Sequence, residues 1–247
     1  GLVQISTVEF PDKFTSQMSI SSGFNTKTAF QDYSTYAGGK TDFLGVDDGT
    51  RDYPGLISSD KVVRGNYTDP QLQEITSGFA NNWNTTSKNA PINGSFKLNV
   101  GDKFELGEQD VMGYIASFSY ANTFVTTQKQ KNFYDFSGSR YDYDGNSYSS
   151  NVMWSGMLNL SYKLGLTNKI SLKNIYNQNA DDETTVYKGE YRYADQYREI
   201  TSLRFVSRSL LSSQLVGEHK INFTNGLNID WILGYSQAKR NEPDARR

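Results

Sequence analysis

Between Trp154 and Leu164 every second residue is apolar: Trp154, Gly156, Leu158, Leu160, Tyr162 and Leu164 alternate with Ser155, Met157, Asn159, Ser161 and Lys163. Side chains of a β-strand point to opposite faces in turn, so this segment reads as a strand with one oily and one largely polar face. The period recurs along the chain. Phe14, Ser16, Met18, Ile20, Ser22 and Phe24 share one parity. So do Ile92, Gly94, Phe96, Leu98 and Val100, and then Met112, Tyr114, Ala116, Phe118, Tyr120 and Phe124. After the run at 154–164, Ile170, Leu172 and Tyr176 open a fifth strand that continues through polar sequence to about Arg192. Leu203, Phe205, Leu211, Leu215 and Ile221 form a sixth, blurred around 207–210, and Leu227, Ile229, Trp231, Leu233 and Tyr235 a seventh. Alternation sustained over about 9 to 11 residues is what a strand needs to cross a bilayer in a closed sheet.

The connections carry a second pattern. Short turns are predicted at 101–110, 165–168 and 223–226, and long polar segments at 36–90, 134–151 and 178–196. Short turns on one side and long loops on the other are how outer-membrane barrels are strung. The fold class expected is therefore all-β, an antiparallel transmembrane β-barrel portion with long extracellular loops. An odd count of seven strands does not close such a barrel, and an open edge in lipid leaves backbone groups unpaired. With no signal peptide ahead of Gly1 and a loop-like end at Arg247, a piece of a larger protein is expected.

Composition changes this picture little. Mean hydropathy of -0.64, 36% hydrophobic and 21% charged residues suit a soluble protein, but only one face of each barrel strand meets lipid, so an embedded barrel has the same average. The 14% aromatic content, with 17 Tyr, fits rings placed at lipid–water boundaries and equally a sugar-binding β-protein. The absence of Cys excludes disulfides and thiolate metal sites, and a single His, His219, excludes a multi-His zinc site. A net charge of -2 gives no nucleic-acid footprint.

Three segments resemble a known family. "GLVQISTVEFP", residues 1–11, resembles the end of the plug domain of TonB-dependent outer-membrane receptors. "GGKTDFLGVDDGTRDYP", residues 38–54, resembles the post-plug loop of receptors of the Bacteroidetes type, with Phe43 where Trp is usual and Val46 where Phe is usual. The ending "RNEPDARR", residues 240–247, resembles the segment after an early barrel strand there. The resemblance implies a plug end at 1–11 and, over 12–247, the N-terminal part of a barrel of about 22 strands. It implies energised import across the bacterial outer membrane of a scarce nutrient: a siderophore, vitamin, glycan or peptide. Its partners would be the TonB energising complex, acting through parts outside this chain, outer-membrane lipid, and a surface lipoprotein or other outer-membrane subunits. No cofactor is implied. The alternatives are a non-transporting or partly built barrel in a larger outer-membrane assembly, and a soluble extracellular glycan-binding β-protein.

Candidate sites fall in polar segments. Tyr141, Tyr143, Tyr148, Tyr187, Tyr191, Tyr193 and Tyr197, in the outer loops, are the first candidates for stacking on a ligand, with boundary anchoring as the plainer reading. Asp42, Asp47, Asp48 and Arg51 could form a hard-cation or polar-ligand site, but Asp-Gly turns and an internal Arg pair make a structural role the expectation. Asp142, Asp144, Gly145 and Asn146 resemble part of a calcium loop lacking its distal Glu, and a tight Asp-Gly turn is expected there. The run Asp181, Asp182 and Glu183 reads as a solvated hairpin tip. His219, with Ser209, Ser212 and Ser213 nearby, is expected to be a boundary ring rather than a catalytic base. No catalytic residue and no metal site are assigned, and an enzyme is the class least expected.

Overall fold

The computed structural model describes residues 10–52, 54–57, 64–79, 83–221, 226–243 and 245–246. In chain order its elements are β1 (Thr15–Gly23), β2 (Asp32–Tyr36), α1 (Asp69–Gly78), β3 (Thr85–Asn89), β4 (Asn93–Glu105), β5 (Val111–Asp135), β6 (Gly138–Leu164), β7 (Asn168–Tyr191), β8 (Gln196–Ile221), β9 (Leu227–Asn241) and β10 (Ala245–Arg246), with single 3-10 turns at Asp42–Leu44, Arg64–Asn66 and Arg192–Ala194. The fold is mostly antiparallel β. Each long strand pairs with the next along the chain, in the order β1, β4, β5, β6, β7, β8, β9, and β10 continues the ladder on β8 beyond β9. Among the described residues no pairing joins β1 to β9, so no closed barrel is formed. The expected plug end lies, but for its last two residues, outside the described residues, as does most of the turn at 223–226.

All seven expected strands are present, and the register fixes their faces. Because antiparallel partners share a face, Tyr114, Leu160, Leu172, Leu215 and Leu233 form one row across β5 to β9, and Met112, Tyr162, Ile170, Gly217 and Trp231 the next. Trp231 lies over Gly217, where an added Cβ would meet the indole. The polar pair on this face, Asn174 and Ser213, bond to each other at 2.6 Å. The opposite face carries Ser117 on Asn99 at 2.7 Å and Ser161 on Ser171 at 2.9 Å.

The polarity of burial is inverted relative to a water-soluble sheet. Ser171 is 0% exposed, and Ser161 and Asn159 are also buried, while Leu158 is 44% and Leu233 68% exposed. Ile232 and Met153 are the larger departures, apolar side chains exposed on the polar face.

The long segments predicted as loops are corrected in part. β5, β6, β7 and β8 run for 25, 27, 24 and 26 residues. At about 3.3 Å per residue each is about 80–90 Å long, against a hydrocarbon core of about 30 Å. Residues 134–151 are therefore mostly strand, closed by a turn at 136–137, while 178–191 is strand as expected for the fifth strand, which ends just before the 3-10 turn at Arg192–Ala194. They look loop-like in sequence because both faces are polar there, so the period-two signal vanishes while the backbone ladder persists. The turn predicted at 101–110 is shorter, since β4 runs to Glu105. The connection from 24 to 92 holds β2, β3, α1 and two 3-10 turns that the hydrophobic pattern did not show.

Candidate functional site

Beyond the apolar rows, toward the 136–137 turn, the polar face of β5 to β8 gathers aromatic and charged side chains. Tyr141 stacks on Phe133 at 5.8 Å and on Tyr143 at 5.0 Å between ring centres. Tyr191 pairs with Tyr141 across β6 and β7, and the Arg198 guanidinium sits 3.8 Å from the Tyr191 ring centre. Next to this wall lies a cavity of about 580 Å³ lined by Lys131, Tyr143, Glu183, Thr185, Tyr187 and Arg204, among others. Glu183 is held by Lys129 at 2.7 Å, by Thr185 at 3.1 Å and by a short bond from Ser147. Burial works against its ionisation, but Lys129 and the two hydroxyls outweigh it and hold the carboxyl at about 2. The cavity thus presents two carboxylates, Glu183 and Glu242, two cations, one of them Arg204 paired with Glu242 at 2.7 Å, and phenol rings to one space.

Of the candidate tyrosines, Tyr141, Tyr143, Tyr187 and Tyr191 share this face. They are strand residues and not loop residues, which corrects their expected setting. Tyr193 stands at the strand end beneath the Arg140 guanidinium, 5.6 Å away. Tyr148 is on the opposite face, edge-on to Tyr33 at 5.4 Å, and Tyr197 is also on that face and exposed. Lys131, Thr185 and Arg204 were not singled out as ligand residues. The signal that finds them is register, because β-pairing sets Thr185 opposite Ser202 and Glu183 opposite Arg204.

A second cluster fixes the segment 38–52 on the other face, above the apolar rows. Arg51, 5% exposed, grips Asp42 with two bonds of 2.8 and 2.7 Å, Asp47 at 2.9 Å, and lies 3.7 Å from Asp182 on β7. Its guanidinium covers the Phe205 ring at 4.2 Å, and its Nε donates to the Tyr36 hydroxyl at 3.1 Å. Asp48 closes the loop on itself, accepting from Lys40 and Thr50. Its carboxyl sits at about 2, held down first by the Thr50 hydroxyl. Gly45 has a φ of 68° and no room for a side chain, since a Cβ would approach that of Ala180 to 3.0 Å.

The edge of this loop is received by one cross-strand row. Tyr120, Trp154 and Gln178 are aligned on β5, β6 and β7. The Tyr120 hydroxyl donates to the Phe43 carbonyl at 2.8 Å, Trp154 Nε1 to Leu44 at 2.8 Å, and Gln178 to Gly45. This row was not predicted as a contact.

Two expectations do not match the geometry. Asp142, Asp144, Gly145 and Asn146 lie inside β6, with no Asp-Gly turn; Gly145 instead passes close under Tyr187 and Val186. Asp181, Asp182 and Glu183 are in mid-β7, each facing a basic residue: Arg208 at 2.9 Å, Arg51 and Lys129. They are not a solvated tip. His219 is held between Asn168 at 2.9 Å and Trp231 at 3.0 Å, apart from the serines near it in sequence. Among the described residues no group of three metal-ligating side chains converges. No family model, curated protein or solved structure matches this chain.

Proposed function

We propose that this chain forms part of the wall of an outer-membrane β-barrel in an energised importer of the TonB-dependent type. The observation that carries this reading is the inverted sheet: apolar rows exposed on one face, small polar side chains buried on the other. Water penalises the first and lipid welcomes it, so the apolar face is the lipid face and the polar face the lumen. The apolar rows run on β6 from Trp154 to Leu164, the span of about 9 to 11 residues that a tilted strand needs. Tyr120 and Trp154 border the band on one side, Tyr162, His219 and Trp231 on the other, as aromatic belts do.

The loop at 38–54 supports the same family by its residues. The two open edges require further strands to close the wall. The remaining length of β5 to β8 projects outward from the membrane and carries the aromatic, charged cavity on its lumen side, where a nutrient would first be held. An outer membrane holds no ATP and no ion gradient, so release of a tightly bound solute needs work delivered by TonB from the inner membrane. A surface lipoprotein would meet the projecting strands.

The test is made on the whole source polypeptide in its membrane. Detergent is required to extract it, and uptake of its nutrient stops when the inner-membrane proton gradient is collapsed. Extraction in plain buffer overturns the membrane assignment, and uptake that survives collapse of the gradient overturns the energised mechanism.

A further inference from the structure

The loop that carries the Arg51 cluster presents an apolar turn whose outer side no described residue covers. Phe43 is 58% exposed, and Leu44 and Val46 on either side of Gly45 are exposed as well. The charged groups of the loop are used elsewhere: Asp42 and Asp47 turn inward to Arg51, and Asp48 caps Lys40 and Thr50. Three carbonyls of the turn are also satisfied, those of Phe43, Leu44 and Gly45 accepting from Tyr120, Trp154 and Gln178. The turn therefore faces outward with apolar side chains over bonded carbonyls, which lowers the cost of entering lipid.

The height of the turn decides what meets it. The row that receives it is the one bordering the apolar band: the next rows toward Leu164 carry Met18, Leu98 and Phe118, then Val100 and Leu158, on the same face, with Met18, Phe118 and Leu158 exposed and Leu98 and Val100 half-buried. The turn overhangs that face where Trp154 and Tyr120 form the upper aromatic border.

We infer that residues 43–46 are a membrane-interface anchor, a loop folded back over the outside of the strands whose Phe43, Leu44 and Val46 sink into the acyl–headgroup boundary of the outer leaflet. This rests on the membrane reading above and adds the partner of the loop, a lipid surface. The Arg51 cluster then has a purpose in holding the anchor at one depth. Amphipathic segments bind at this boundary through such side chains.

The chain has no Cys, so single cysteines at chosen positions take a nitroxide label cleanly within it. The full protein is reconstituted in phosphatidylethanolamine–phosphatidylglycerol vesicles with Phe43→Cys, Val46→Cys, Leu158→Cys or Ser137→Cys, and collisions with oxygen and with a polar nickel chelate are compared. Phe43 and Val46 are exposed, and the bonds that seat the turn run to the backbone carbonyls of Phe43, Leu44 and Gly45, so labels at 43 and 46 keep those bonds. Expected is an oxygen-to-nickel ratio highest at 158, lowest at 137, and severalfold above 137 at 43 and 46. Labels at 43 and 46 that match 137 while 158 reads as lipid overturn the anchor and leave the membrane reading standing. Labels shielded from both reagents overturn it in favour of a protein cover. A water-like label at 158 overturns both.

Discussion

Asp182 and Glu183 are neighbours in sequence on β7 whose carboxylates lie on opposite faces, one against Arg51 of the loop and one against Lys129 of β5. Their pH responses are opposed. Burial, more than Arg51 offsets, pushes Asp182 up from 3.8 to about 6, so it favours the folded state most below its ordinary value and that contribution is lost as pH rises through 6. Glu183, held at about 2 against an ordinary 4.5, contributes above 4.5 and loses this as pH falls toward 2. Protection factors across 38–52, which divide out the intrinsic rise of exchange with pH, should therefore fall between pH 4 and 7, and Asp182→Asn should flatten that fall. A profile unchanged by Asp182→Asn would refute the assignment.

Arg51→Ala leaves Asp42 and Asp47 facing each other without their cation. Breaking a buried pair by removing one partner costs about 3–5 kcal/mol. The expected result is loss of protection at 38–52 and early protease cleavage there, with the β6–β7 ladder still protected. Arg51→Lys keeps the charge but not the paired bonds to Asp42 or the flat contact with Phe205, so it should rescue only part of the protection.

Gly45→Ala tests the close approach of the loop to β7. The left-handed backbone alone costs a non-glycine residue about 1–2 kcal/mol, and the new methyl meets Ala180. Loosening confined to the 41–46 turn, read by hydrogen exchange, is expected.

The apolar face and the polar face should answer differently to charge. Leu160→Lys, in the middle of the apolar band, should lower stability in vesicles by about 2–4 kcal/mol, while Met157→Lys on the polar face should change it by far less. Urea titration of the refolded full protein separates them. Equal effects would count against lipid on the Leu160 face.

For the cavity, Tyr187→Ala should weaken nutrient binding by about tenfold, equivalent to about 1.4 kcal/mol, whereas Tyr148→Ala, on the other face, should leave it unchanged. Binding to whole cells carrying the full protein distinguishes the two variants. Equal losses would remove the cavity as the ligand site.

Where one face is apolar and the other polar, the strands were legible. The alternation at Trp154 to Leu164 showed both the existence of β6 and the parity of its apolar face, as did Leu227 to Tyr235 for β9. It failed at Tyr141 to Asn146 and at Asp181 to Glu183, where both faces are polar and strand pairing is carried by the backbone ladder. There, charges read as solvated because their partners are distant in sequence: Lys129 is 54 residues from Glu183, and Asp181 is 27 from Arg208. The cavity suffered the same fate, since its tyrosines were visible by composition but Lys131 and Arg204 meet them only through register.

The row formed by Tyr120, Trp154 and Gln178 also has a bearing on assembly order. These side chains lie 77, 110 and 133 residues after the carbonyls they receive. The loop is synthesised first and can seat only after three later strands have come into line, so its closure cannot nucleate the sheet and must follow it. Contacts of such long sequence separation form late. A seated loop is then a report that β5, β6 and β7 are in register. A nascent chain whose loop remains open to protease is one in which that stretch of wall has not yet been laid.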